Sequence, residues 1–274
     1  VTDTATTESD FNADPNKVLI EIRDHVLILT INRPEARNAV DGDVWFLIGD
    51  ALEKAQDDPD VRCIVLTGAG DLAFSAGLDL KALATGTLTI PPTMAKYSFA
   101  GFVRHFTSKP VIGAVNGKAL GGGTELALAC DLIVATESAS FGLPEVKRGL
   151  IAGGGGVFRI TEVLPQKIAL EMLMTGEPMT SAEAARWGLV NRVVPDGQAL
   201  AGALALAAEI SKNAPLAVQA SKRLAYRIID GEPEGEARMW AENDKEIGGV
   251  FISADASEGP RAFAEKREPV WTGK

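Results

Sequence analysis

Residues 111–125, VIGAVNGKALGGGTE, constrain the fold more than any other stretch of the chain. The first five read as a nearly continuous apolar strand, the kind buried on both faces of a parallel sheet. The chain then turns and enters a helix through three consecutive glycines. A helix start leaves N–H groups unpaired and attracts negative charge. Gly121, Gly122 and Gly123 remove every side chain that could block access to those groups, which exceeds what helix–strand packing needs. Glu125 follows in the first helical turn, and Glu145 lies twenty positions further on in FGLPE. Each carboxylate alone reads as an ordinary helix-start acid. Together, beside bare backbone, they form a candidate acid/base pair whose members would couple and raise one another's pKa.

The surrounding pattern places that stretch in a larger unit. Strands are expected at 18–23, 25–31, 61–67, 111–115, 132–135 and 138–141, and helices at 44–56, 94–106, 122–129, 157–163, 165–174 and 181–187. After Gly197 strand signals vanish. Helices are expected at 198–211, 215–230 and 234–251, with a terminal piece at 260–268. This alternation predicts an α/β parallel-sheet core over 17–196 and a helical region over 197–274. The acidic first sixteen residues, VTDTATTESDFNADPN, read as a disordered tail and resemble neither a signal nor a transit peptide.

Composition removes several functions. A formal net charge of −10 opposes non-specific nucleic-acid binding and docking on anionic membranes. Cys63 and Cys130 each sit in apolar runs and read as buried reduced thiols, which points to a reducing, cytoplasmic compartment. The two histidines, His25 and His105, have no Cys or His at ligand spacing, so no metal site is expected. The same scarcity argues against a Ser-His-Asp hydrolase.

Other glycine-rich stretches leave alternatives open. Gly68-Ala69-Gly70-Asp71-Leu72-Ala73 superficially fits a dinucleotide fingerprint, but the helix and acidic strand end that should follow are missing. Ala73–Leu80 is either a tight turn or a binding loop in which the Leu78 N–H faces a carbonyl oxygen. The glycine cluster Gly149–Gly156 is either a flexible loop over the site or a helix entry. Phe263-Ala264-Glu265-Lys266-Arg267 is either a solvated helix end or a phosphate clamp.

Taken together, NRPEARNAV, LTGAGDLAFSAGLDL, AVNGKALGGGTELALACDLIVAT, SFGLPEVKRGL, TGEPMTSAEAARWGLVNRVVP and EGPRAFAEKREPVW resemble the enoyl-CoA hydratase/isomerase (crotonase) superfamily. The resemblance runs from about Val18 to the C-terminus. It implies a crotonase-like spiral of ββα repeats with a helical C-terminal trimerisation region, assembled as a homotrimer or a dimer of trimers. It implies an acyl-CoA thioester substrate, with coenzyme A as part of the substrate and no separate cofactor. The oxyanion donors would be the Leu78 and Gly122 amides. Glu125 would hold and deprotonate water, Glu145 would protonate Cα, and Gly153 would offer an N–H near the water.

For coenzyme A the resemblance implies Ala73, Ser75, Ala76 and Leu80, with Ala36 and Arg37 near the adenine, and Phe263 and Lys266, often from a neighbouring subunit. The acyl pocket is expected from 85–106. Retention of both glutamates favours a hydratase. An isomerase and a non-enzymatic RNA-binding relative are the alternatives, the latter disfavoured by charge. FSAGLDLKALATG and AFAEKREPVWTGK are also similar to carnitinyl-CoA dehydratases, whose acyl group carries a trimethylammonium. Such a cation suits an aromatic face, but Trp45, Trp187 and Trp240 read as packing residues. The chain departs from the family at Ala152, where a proline is usual.

Overall fold

A computed structural model describes residues 11–229 and 232–274. The first ten residues of the expected tail, and Asp230 at the end of the expected 215–230 helix, lie outside the described residues. Residues 11–16 are placed against the core rather than trailing from it. Phe11 stacks on Phe46 with ring centroids 5.3 Å apart, and Asp14 caps a short 3-10 turn at Pro15–Lys17.

β1 (Val18–Arg23) and β2 (Val26–Ile31) form an antiparallel hairpin. Its two-residue turn, Asp24 and His25, has φ of 49° and 66°, the positive values a tight hairpin turn demands. Helix α1 (Gly42–Asp57) starts at Asp41, whose carboxylate accepts the Val44 N–H, and buries Val44, Leu47, Ile48, Ala51, Leu52 and Ala55 on one side.

The centre of the fold is a repeated step between two sheets. β3 (Cys63–Gly68), β5 (Val111–Val115) and β7 (Leu132–Thr136) lie in a six-stranded sheet of order β1-β2-β3-β5-β7-β10, in which β10 is Arg192–Val194. Each of those three is followed by a short strand in a second sheet: β4 (Ala73–Ser75), β6 (Lys118–Leu120) and β8 (Ser140–Gly142). β9 (Met179–Thr180) completes that four-stranded sheet, of order β4-β6-β8-β9. A helix follows the first two steps directly, α2 (Leu80–Ala84) and α3 (Gly122–Leu128). The third step reaches α4 (Gly156–Val163) through a 3-10 turn at Pro144–Arg148. This is the spiral of strand–strand–helix repeats that the resemblance implies. α5 (Gln166–Thr175) and α6 (Ser181–Arg186) lead on to β10.

The nearly continuous apolar strands follow from this arrangement. Ile64, Leu66, Val115, Ile133 and Ala135 face the core between the sheets. Cys63, Val65, Ile112, Ala114 and Val134 face the other way, onto Ala199, Ala203, Leu206 and Ala207 of α7 (Ala199–Ser211). Alternate side chains point to opposite faces of a strand, so both sets must be apolar. α7 therefore packs on the sheet as part of its second core. Beyond it lie α8 (Pro215–Ala225), a small hairpin of β11 (Ile228–Ile229) and β12 (Glu232–Pro233), α9 (Glu236–Phe251) and α10 (Ala254–Ala264).

Three expectations are corrected. The helix expected at 94–106 is two 3-10 turns, Pro92–Tyr97 and Phe99–Gly101, because Ser98 and Ala100 have left-handed backbones that no α-helix accommodates. The 215–230 helix stops at Ala225, and strand structure returns in the β11–β12 hairpin. The terminal helix begins at Ala254, capped by the Ser253 hydroxyl, and carries Pro260 inside it. Among the described residues no helix is long and apolar enough to cross a membrane.

Candidate active site

The β3-to-α2 connection is shaped by buried polar groups. Asn38 donates to the Ala69 and Ala73 carbonyls and accepts the Arg33 N–H, tying the NRPEARN turn to this connection. Ser75 is fully buried. Its hydroxyl donates to the Asn38 carbonyl at 2.8 Å and accepts the Gly77 N–H at 3.1 Å. Leu78 forms a parallel bridge with Val40: Val40 N–H donates to the Gly77 carbonyl at 2.8 Å, and Asp79 N–H to the Val40 carbonyl at 2.9 Å. That alternation turns the Leu78 N–H away from Val40.

The second turn comes up against the first. A Cβ on Gly77 would lie 2.7 Å from the Gly122 nitrogen, and one on Gly123 would lie 2.0 Å from the Ser75 carbonyl oxygen. Only glycine permits such approach. Thr124 fixes the turn from below. Its hydroxyl donates to Ala119 and Gly142 carbonyls at 2.7 and 2.9 Å, and accepts the Gly142 N–H at 3.0 Å. Gly122 is the first residue of α3 and has no intrahelical acceptor. Among the described residues, neither its N–H nor that of Leu78 has a recorded partner. The structure thus brings these two amides to one place.

Both glutamates lie beside that place, in different surroundings. Glu125 is buried in the first turn of α3, and its Oε1 accepts the Gly156 N–H at 2.9 Å. Burial pushes its carboxyl up to about 7, against the opposing pull of the Gly156 and Gly154 amides and of Arg159. Glu145 sits on the 3-10 turn. Its Oε2 is buried with no partner, and its Oε1 lies 3.0 Å from where a Gly121 Cβ would stand. Burial and the charge of Glu125 push it up to about 8. The two acids are therefore electrostatically coupled, and Glu145, helped only by its own backbone amide, is the more reluctant to ionise.

The remaining sequence candidates divide. The Ala76 N–H donates to the Arg37 carbonyl at 3.0 Å, so the turn at Ala36–Arg37 and the Ala76 loop share one rim. Arg37, Ala76 and Leu80 are exposed there, and Ala36 is half-buried. Ser75 is closed off from solvent, and its hydroxyl, engaged within the chain, frames the turn. Ala73 is buried beside it, its carbonyl taken by Asn38. Gly153, expected to offer an N–H near the water, opens the glycine run that flanks Glu125. The two N–H groups on Glu125 are those of Gly154 and Gly156, whereas the Gly153 carbonyl accepts from Asn243 at 3.0 Å. Phe263 and Lys266 lie at the end of α10, which packs on the turn that carries Glu145. The Arg148 guanidinium stacks on the Phe263 ring at 4.2 Å, and a Cβ on Gly259 would meet the Arg148 carbonyl at 2.0 Å. Both residues are exposed.

Around the glycine run Trp240 packs as expected, and Arg159 is the residue that sequence reasoning missed. Trp240 of α9 packs on Gly155, meets Phe158 edge to face at 4.9 Å, and is covered by the Arg104 guanidinium at 4.1 Å. Arg159 pairs with Glu236 at 2.6 Å. Its position one helical turn into α4, after the glycines, was the signal available. A cavity of about 570 Å3 on the Asp79 side contains neither glutamate. Its Lys17 and Arg33 are already paired with Asp41, Asp43 and Asp79. Among the described residues no cluster of three or more His, Cys, Asp or Glu could hold a metal ion.

Known proteins carry the same framework. Residues 21–274 match the family model described as Enoyl-CoA hydratase/isomerase. A carnitinyl-CoA dehydratase of Salmonella heidelberg (strain SL476) is 46% identical over 252 residues, covering 91% of this chain and 95% of that protein. The crystal structure of a carnitinyl-CoA hydratase from Mycobacterium avium superposes with a TM-score of 0.93 at 57% identity, covering 94% of this chain and 99% of that one. An enoyl-CoA hydratase from Mycobacterium tuberculosis H37Rv superposes at 0.73 with 46% identity, covering 94% and 100%.

Proposed function

Because the chain belongs to the enoyl-CoA hydratase/isomerase family, we propose that it is a hydro-lyase adding water across the 2,3 double bond of a 2-enoyl-CoA thioester. The observation that carries this reading is the pair of coupled acids, Glu125 buried and Glu145 half-buried, beside two unpartnered amides. In this mechanism the thioester oxygen accepts from the Leu78 and Gly122 N–H groups. Glu125, as carboxylate, takes a proton from water while the water oxygen bonds to Cβ. The π electrons move onto the thioester oxygen as an enolate. The enolate then takes a proton at Cα from Glu145, the acid whose surroundings keep it neutral to higher pH. Proton exchange between the acids through solvent resets the pair. Each oxyanion donor contributes roughly 3–4 kcal/mol to the barrier by analogy with other such sites.

Arg37, Ala76 and Leu80 form one rim for the coenzyme A portion, with Ala36 beneath. Phe263 and Lys266 form another. Coenzyme A arrives as part of the substrate. A homotrimer or dimer of trimers fits α8, which buries no residue within the chain and exposes Leu216 and Leu224 at 78% and 80%. A cytoplasmic location fits the free, buried thiols of Cys63 and Cys130.

Carnitinyl-CoA dehydration is the second reading, favoured by the names and high identity of the relatives. A single experiment ranks the two. Recombinant protein is given crotonyl-CoA and crotonobetainyl-CoA, and loss of the conjugated-thioester absorbance is followed. Activity on either that vanishes in Glu125→Ala and Glu145→Ala supports the assignment. Undiminished hydration in both variants removes it.

A further inference from the structure

Ser98, Ala100 and Gly101 have φ of 57°, 60° and 62°. Two of these carry a Cβ, and Ser98 with ψ of −152° is in a region that suits glycine almost alone. Such a backbone persists only where its surroundings over-determine it. Here the clamp is α1. A Cβ on Gly101 would lie 2.7 Å from the Trp45 carbonyl oxygen and 2.9 Å from the Gly49 α-carbon. The Met94 sulfur fills the other side of Gly49, 2.4 Å from its Cβ position. The Phe99 carbonyl is held by the N–H groups of Phe102 and Val103 at 3.1 and 3.2 Å.

The contorted segment delivers one side chain inward. The Cε1 and Cζ atoms of Phe99 both lie 2.6 Å from the Cβ position of Gly122, so the ring edge rests on the Gly122 α-carbon. Trp45 backs the ring edge to face, with centroids 5.6 Å apart and planes at 81°. Phe99 is 9% exposed. An aromatic edge therefore stands beside the amide assigned to the thioester oxygen. Trp45 blocks its retreat, and backbone clamped to α1 fixes its base.

We propose that Phe99 is the specificity-determining wall of the acyl site. It sets the width of the slot beside the Gly122 amide and restricts the enzyme to small, four-carbon-sized acyl groups. This rests on the hydratase reading for its substrate class. A flexible side chain here would yield to a larger acyl group, whereas a ring pinned on two sides excludes it. In apolar pockets the difference of a methylene or two is worth about ten- to two-hundredfold in selectivity.

The test compares wild type, Phe99→Ala and Phe99→Leu on crotonyl-CoA and 2-octenoyl-CoA. The octenoyl-to-crotonyl ratio of kcat/KM is expected to rise about tenfold or more in Phe99→Ala, with Phe99→Leu intermediate. A folded Phe99→Ala whose ratio stays within about twofold of wild type overturns the proposal. If Phe99→Ala fails to fold, Phe99→Leu decides by the same criterion. Should wild type hydrate neither substrate, the hydratase reading fails, and the wall is judged by binding alone. The octanoyl-CoA to butyryl-CoA affinity ratio from calorimetry must then rise in the same variants, and an unchanged ratio overturns the wall as well.

Discussion

The turns at 73–80 and 116–125 meet the segment at 92–101 on Gly122, yet the two sides are held there by different means. The turns hang from strands. β4 and β6 pair in parallel, Thr124 ties the second turn to β8, and glycines occupy the positions where backbone meets backbone. The 92–101 segment has no strand to hang from. It keeps its shape because α1 wedges Gly101 and Trp45 backs Phe99, and it carries left-handed backbone at residues that are not glycine. Donors that must sit within a fraction of an ångström belong on the rigid side. A wall that distinguishes acyl groups can stand on the irregular side, where sequence can change without disturbing the sheets.

The rigid side is where the largest effects are expected. Glu125→Gln and Glu145→Gln each should lower kcat by about 10²–10⁴-fold with circular dichroism unchanged, since each removes a proton-transferring group. A loss of less than tenfold in either would move the chemistry elsewhere. Gly123→Ala should unfold or strongly destabilise the protein, by about 3 kcal/mol or more, because its methyl group would stand 2.0 Å from the Ser75 carbonyl oxygen. Ser98→Ala, on the other side, should stay within about 0.5 kcal/mol in denaturant titrations, since neither residue is glycine. Equal costs for the two changes would erase the distinction.

These same physical differences decide what could be read from sequence. The turns were legible because their constraint is local. A strand run, consecutive glycines and a helix-start acid lie within fifteen residues, and the resemblance rests on them. The close approach of Gly77 to Gly122 was legible only as two separate glycine-rich loops, because no local pattern encodes their contact. Small residues look alike in sequence whether they face a ligand or frame a turn, and the contacts of the buried Ser75 hydroxyl emerge only in three dimensions. The Gly154 and Gly156 amides serve Glu125, and nothing in a run of four glycines singles out those two positions. The 94–106 stretch carries a helical expectation that ends before Lys109-Pro110. The break at Ser98 comes from packing on α1, a non-local cause.

Titration sharpens the comparison between the acids. Glu145 has its folded-state pKa raised from 4.5 to about 8. Below pH about 4.5 the native and unfolded states are both protonated there and the full stability is present. As pH rises through 8 the native state must ionise a buried acid, and that stability is lost. Glu145→Gln should therefore gain on wild type between pH 4.5 and pH 8.5, on the order of 5 kcal/mol at most. The difference between the two proteins matters, not either curve alone, because Asp79 and Glu258 are shifted down and vary in the opposite sense. The rate should follow a narrow bell, rising as the pair loses its first proton and falling as it loses the second. A wild-type minus variant difference that stays flat with pH would mean that Glu145 is solvated.

The smallest effect tests the strained side directly. Ser98 has φ 57° and ψ −152°, and glycine adopts that conformation without a Cβ penalty. Ser98→Gly should relieve about 1 kcal/mol of native-state strain while adding up to about 1 kcal/mol of unfolded-state entropy. The net change in Tm should be near zero or slightly positive, whereas the same substitution at an ordinary exposed site lowers stability. Ser98→Pro separates conformation from composition, because proline cannot take a positive φ. It should lower Tm and loosen the acyl preference that Phe99 sets. A proline tolerated at residue 98 without loss in either measurement would show that the segment relaxes freely. The wall beside Gly122 would then be a resting position, not a constraint.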